Sequence, residues 1–167
     1  MRIRPHTAAD DGAVRQLNET VFPTPAEADL VERLRATAEP VISLVAEDDG
    51  AIIGHILFSP AAFAADRGFL ALALGPMAVL PGRQREGIGS ALLRIGLDEC
   101  SRLGCRAVFV LGHADYYPRF GFVPASRFGI HSQFEVPDEV FMALELAPGA
   151  LAGKAGAMRY HEAFDAL

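Results

Sequence analysis

In Leu74-Gly75-Pro76-Met77-Ala78-Val79-Leu80-Pro81-Gly82-Arg83-Gln84-Arg85-Glu86-Gly87-Ile88-Gly89-Ser90-Ala91-Leu92-Leu93-Arg94, an apolar run ends at Leu80 and Pro81-Gly82 forces a turn. Gln84-x-x-Gly87-x-Gly89 then opens a run of good helix formers. Two glycines at a helix start remove Cβ atoms where a ligand must approach the backbone. The first N–H groups of a helix have no partner inside it and carry the positive end of its dipole. A phosphate uses both features, and Arg83 and Arg85 add charge on the same loop. Other phosphate-loop readings fail. No Gly-Lys-Ser/Thr follows, which excludes a P-loop, and Leu92 stands where the Rossmann fingerprint needs its third small residue. An ordinary strand-to-helix turn accounts for the glycines but not for two arginines and a glutamine beside them.

Outward from this stretch, Phe69 to Leu80 reads as the long central strand. A proline inside it costs a ladder bond, so Pro76 is expected at a bulge beside Gly75. Ile88 to Leu103 reads as a helix stopped by Gly104, with apolar positions on more than one face and therefore well covered. Arg106 to Leu111 has the pattern of a fully buried strand. Toward the N-terminus, Met1 to Pro5 reads as a short edge strand and Thr7 to Asp10 as a capping box with Asp in place of Glu. Helices are expected from there to about Val21 and from Ala26 to Ala38, broken by Pro23-Thr24-Pro25. Val41 to Glu47 and Ala51 to Ser59 form a hairpin about Asp48-Asp49-Gly50. Ser59-Pro60 is expected to end it, and Ala65-Asp66-Arg67-Gly68 to make the next turn. Ala125 to Asp138 is a loop-rich excursion, Val140 to Leu146 a strand, and Ala157 to Phe164 a further strand in the tail.

A second informative segment, Gly112-His113-Ala114-Asp115-Tyr116-Tyr117-Pro118-Arg119-Phe120-Gly121-Phe122, follows the buried strand. Together, in this order and with a helix and a strand between them, the two segments resemble the GNAT superfamily of N-acetyltransferases. Gln84, Gly87 and Gly89 occupy its acetyl-CoA motif, Gln/Arg-x-x-Gly-x-Gly/Ala, and Gly121-Phe122 matches the end of its Phe-Tyr-Glu-Lys-x-Gly-Phe stretch. The wording of both is similar to a bacterial branch of small predicted acetyltransferases with undefined acceptors. The resemblance covers residues 1 to about 146.

It implies a mixed α/β GNAT fold: a central, mostly antiparallel sheet of about seven strands with helices on both faces. The sheet should splay at one parallel pair, Phe69–Leu80 with Arg106–Leu111. A single domain is expected over 1–167, with 147–167 a less certain extension. The implied activity is transfer of the acetyl group of acetyl-CoA to a primary amine by direct attack in a ternary complex. Two alternatives stay open: a catalytically silent CoA-binding sensor or interaction module, and an acyltransferase using a longer acyl-CoA.

In such a site Met77, Ala78 and Val79 would hold the pantetheine arm, and the amide of Met77 or Val79 would polarise the thioester carbonyl, worth ~3 kcal/mol. Arg83, Gln84, Arg85, Glu86, Gly87, Ile88, Gly89 and Ser90 would hold the pyrophosphate or 3′-phosphate. Tyr117 falls on the tyrosine that binds and protonates the departing sulfur, and a phenol near ~10 is protonated at neutral pH. Glu47 is the candidate base, acting through water, with His55 beside it on the partner strand. His113, near the expected sulfur, and His131 and Glu135, in the acceptor region, complete the candidates. Each histidine is equally well read as structural, and Glu47 as a solvated hairpin shoulder.

The 167 residues fit one domain, and 51% hydrophobic content with 22% charge is that of a folded soluble protein. A formal charge of -6 argues against nucleic acid as partner. Apolar runs are too short to span a bilayer and the N-terminus lacks a signal-peptide core, so neither membrane nor export is expected. Two cysteines, Cys100 and Cys105, without C-x-x-C spacing or a histidine pair, are read as reduced, cytoplasmic and not metal ligands. The expected partner is an amine, small molecule or peptide, and a homodimer is left open.

Overall fold

The computed structural model describes residues 1–64 and 66–167. Strand β1 (Arg2–Pro5) is followed by a 3₁₀ turn over Ala8–Asp10 and helix α1 (Asp11–Val21). The Thr7 amide donates to Asp10 Oδ2 at 2.8 Å, closing the expected capping box, and Arg4 grips the same carboxylate at 2.7 and 2.9 Å. Helix α2 (Ala26–Thr37) follows the proline break. The hairpin of β2 (Ile42–Asp48) and β3 (Ala51–Phe63) leads into β4 (Asp66–Val79), α3 (Ile88–Arg102) and β5 (Ala107–Leu111). Short strands β6 (Val123–Pro124) and β7 (Ile130–Ser132), then β8 (Phe141–Glu145) and β9 (Gly156–Tyr160), complete the sheet.

Alternation along the central strands builds two cores. Val45, Leu57, Ala73 and Phe109 face Val14 of α1 and Leu30, Val31 and Leu34 of α2. Their neighbours Leu44, Ile56, Phe58, Leu72 and Val108 face Ile88, Leu92 and Leu93 of α3 on the other side. One sheet thus lies between helices, as expected.

The strand order is β1-β2-β3-β4-β5-β8-β6, with β9 pairing both β3 and β7. The β4–β5 pair is parallel and runs only from Ala71–Ala107 to Leu74–Val110. Between the pairs Ile56–Met77 and Phe58–Leu74, Gly75 and Pro76 oppose Leu57 alone. This is the expected bulge, and it turns β4 away from β5.

Three local readings differ. β3 does not end at Pro60 but continues to Phe63. Pairing with β2 stops at Phe58 and pairing with β9 starts at Ala61, so the residue without an N–H costs no ladder bond on that side. Asp66, Arg67 and Gly68, expected in a turn, already belong to β4, while Ala65 lies outside the described residues. The tail strand stops at Tyr160, where His161 Nδ1 accepts from the Ala163 amide at 3.0 Å and starts a 3₁₀ turn. β9 also adds a short second parallel pair, with β7, inside the excursion read as loop. No helix among the described residues is long and apolar enough to cross a membrane.

Candidate active site

The site opens where β4 leaves its neighbour. The Leu80 amide donates to the Ile53 carbonyl at 2.9 Å, and bonded pairs alternate along an antiparallel ladder. The alternation turns the Ala78 amide toward β3. The Met77 and Val79 amides then face the other side, where β5 no longer pairs. Ala78 itself is 2% exposed and packed in the sheet.

Beyond β4, Gln84 Nε2 donates back to the Val79 carbonyl at 3.2 Å, tying the loop to the strand end. Arg85 and Gly87 both adopt left-handed backbone, with φ of 66° and 84°. A Cβ on Gly87 would meet no protein atom within 4 Å, so it would project into open space, whereas one on Gly89 would make ordinary contacts at 3.7 Å. The left-handed backbone favours glycine at 87, though space does not demand it, and a methyl at 89 would fit.

In front of this turn lies a cavity of about 860 Å³ lined by Arg83, Gln84, Arg85, Gly87, Ile88, Gly89 and Ser90. Glu86 does not line it; its carboxylate holds Arg83 at 3.0 Å, and Asp48 holds the same guanidinium at 2.9 Å. Arg83 is thus charge-compensated, while Arg85 enters no ion pair among the described residues. Arg119, which the sequence reading passed over, lines the same cavity from the other segment and lies over the Tyr116 ring at 5.8 Å. Tyr116 Oη and Ser90 Oγ share a hydrogen bond of 2.9 Å, which joins the two segments across the cavity.

A second cavity of about 520 Å³ begins at Leu74, Gly75 and Pro76 and includes Tyr117. Met77 and His113 line both cavities, so the two meet there. Tyr117 is 7% exposed, and burial, with Tyr116 beside it, pushes its phenol up to about 12. Its ring rests on Gly112, where a Cβ would lie 2.3 Å from Cε2.

Other candidates are placed elsewhere. Glu47 pairs with Arg4 at 3.1 Å and lines neither of these cavities but a separate one beside α1, with Ala13 and Leu17. His55 is fully buried, with Nε2 at 2.8 Å from Ser43 Oγ, which in turn meets His6 Nδ1 at 2.8 Å. Burial first, then His6 and Arg35, push His55 down to about 3, which keeps it neutral. His131 and Glu135 are exposed, and the excursion instead contributes Phe134 and Val136 to the second cavity. Glu27 and Tyr160, not singled out from the sequence, line it as well.

The family model of the acetyltransferase (GNAT) family matches residues 12–122. The chain belongs to this family. Its relatives include the uncharacterized N-acetyltransferase YjhQ of Escherichia coli strain K12, 40% identical over 135 residues, 78% of this chain and 75% of that protein. The uncharacterized N-acetyltransferase YhbS of the same strain is 32% identical over 99% of both chains. The crystal structure of E. coli YhbS in complex with CoA superposes on this acetyltransferase with a TM-score of 0.92, covering 98% of this chain and 91% of that one at 32% identity. A GNAT family acetyltransferase of Brucella melitensis in complex with acetyl-CoA gives 0.81, at 36% identity over 98% and 97% of the two chains.

Proposed function

We propose that this acetyltransferase moves the acetyl group of acetyl-CoA to a primary amine by direct attack in a ternary complex. The observation that carries the reading is the junction of the two cavities at Met77 and His113: one is lined by a helix N-terminus and cations, the other by apolar side chains and Tyr117.

The residues present fit the coenzyme on three counts. Gly87 keeps the approach to the first amides of α3 open, Arg85 and Arg119 supply positive charge, and β4 presents unpaired amides at Met77 and Val79. Bound acetyl-CoA supplies an acetyl thioester. Met77 or Val79 N–H orients its carbonyl, a role worth about 3 kcal/mol in comparable sites.

Tyr117 keeps its proton at Oη. Burial pushes the phenol up to about 12, above the thiol range, so we assign Tyr117 hydrogen-bond donation to the leaving sulfur rather than full protonation, and the thiolate takes up the proton shed by the attacking nitrogen. Direct attack is supported by the core placement of Cys100 and Cys105, which leaves neither thiol accessible as a nucleophile. Two buried free thiols also fit a reducing compartment, which we take to be the cytoplasm.

Initial-velocity kinetics with an amine found by thiol-release screening test the mechanism. Intersecting double-reciprocal plots and no acetylated protein by mass spectrometry are expected; parallel plots with a covalent acetyl adduct would overturn it.

A further inference from the structure

The second cavity carries more information than its position. Much of its lining is apolar, including Leu30, Phe134, Val136 and Phe164, and its volume of about 520 Å³ suits a small molecule. Two polar atoms interrupt that lining. Glu27, in the first turn of α2, has Oε2 buried without a hydrogen-bond partner among the described residues, and Tyr160 Oη is in the same condition.

We propose that the acceptor is a small primary amine with an apolar body, and that Glu27 selects it by pairing with its cationic nitrogen, assisted by Tyr160 Oη; the bound ammonium gives one proton to solvent before its lone pair forms the C–N bond and the C–S bond breaks. This rests on the acetyl-transfer reading for the word acceptor, though not for the binding itself. A buried carboxylate oxygen without a partner has lost its water and gained nothing in return. An ammonium group is the ligand that removes this cost, because it brings both donors and the opposite charge. The carbon skeleton follows from the rest of the lining: polyhydroxylated or polycationic amines would bury polar groups against phenylalanine and leucine with nothing to bond. An acidic acceptor would meet like charge at Glu27. Burial raises the Tyr160 phenol, so it stays neutral and offers the nitrogen a lone pair without a competing charge.

The test is calorimetry on the CoA-loaded protein, titrated with 2-phenylethylamine, hexylamine, 2-phenylethanol and an aminoglycoside. The amine is expected to bind at least about tenfold tighter than the alcohol of the same shape, and Glu27→Gln to erase that preference while leaving CoA affinity unchanged. Tyr160→Phe should weaken amine binding about threefold. An amine preference that survives Glu27→Gln, an aminoglycoside that binds more tightly than 2-phenylethylamine, or no binding by any of the amines would overturn the proposal. The expected binding pattern without any acetyl transfer would sink the proposed enzymatic function and leave this assignment standing.

Discussion

Replacing Gly112 by alanine acts on the site chiefly through the placement of Tyr117. The added Cβ would lie 2.3 Å from Tyr117 Cε2, 3.0 Å from Cδ2 and 3.3 Å from Cζ. Carbon atoms settle at about 3.5–4.0 Å, so the ring must retreat by roughly 1.2–1.7 Å. The Gly112 amide bond to the Val140 carbonyl, 2.9 Å, is compatible with alanine, so the strain falls on the ring. Overpacking of this kind costs about 1–3 kcal/mol, a Tm lower by roughly 2–12 °C in a chain of this size. A displacement of about 1 Å at a reacting group costs about a hundredfold in rate. The account therefore predicts a folded variant with parental CoA affinity by calorimetry and kcat down by about two orders of magnitude. Parental kcat in the folded variant would refute the reasoning, because Tyr117 Oη would then not need its observed position.

Gly87→Val should abolish measurable CoA binding: it forces a β-branched residue into left-handed backbone at φ 84° and fills the open approach to α3; unchanged calorimetry would contradict it. Tyr117→Phe should lower kcat about ten- to a hundredfold, the loss of one hydrogen bond to a charged group, and leave CoA affinity intact, and equal turnover would remove Tyr117 from the mechanism. His55 binds a proton near 6.5 when unfolded but only near 3 when folded, so its stabilisation is complete above pH 6.5 and is lost as pH falls toward 3. Between pH 7 and 5 that removes about 2 kcal/mol, or roughly 4–8 °C in Tm, before most carboxylates titrate. A Tm that stays flat across this window would show that the buried imidazole is not held neutral.

The frame of the fold was legible because it rests on local signals. Gly75-Pro76 marked the bulge, Gly104 the helix stop at φ 89°, and the period of each segment its type. The turn into α3 was legible for the same reason, since a left-handed residue such as Gly87 at a helix start favours glycine. What the sequence could not show depends on contacts made across the sheet. Arg83 and Arg85 look alike in one loop, yet Asp48, thirty-five positions earlier, compensates one of them. Glu47 likewise gives no sign in sequence of Arg4 on the edge strand, which pairs with it at 3.1 Å. The second cavity joins the two motif segments, through Leu74 to Met77 and Leu111 to Tyr117, to α2, the 125–138 excursion and the tail, which carry no motif. Glu27 gave no signal at all: in sequence it is one more acidic residue in a first helical turn.

A crystal structure of the protein grown with acetyl-CoA tests the central claim most directly. The account predicts diphosphate oxygens on the amides of Gly87 to Gly89, the pantetheine arm along Met77 to Val79, and the sulfur within hydrogen-bonding distance of Tyr117 Oη. Coenzyme bound away from the turn at residues 84–90, or a sulfur far from the phenol, would contradict it.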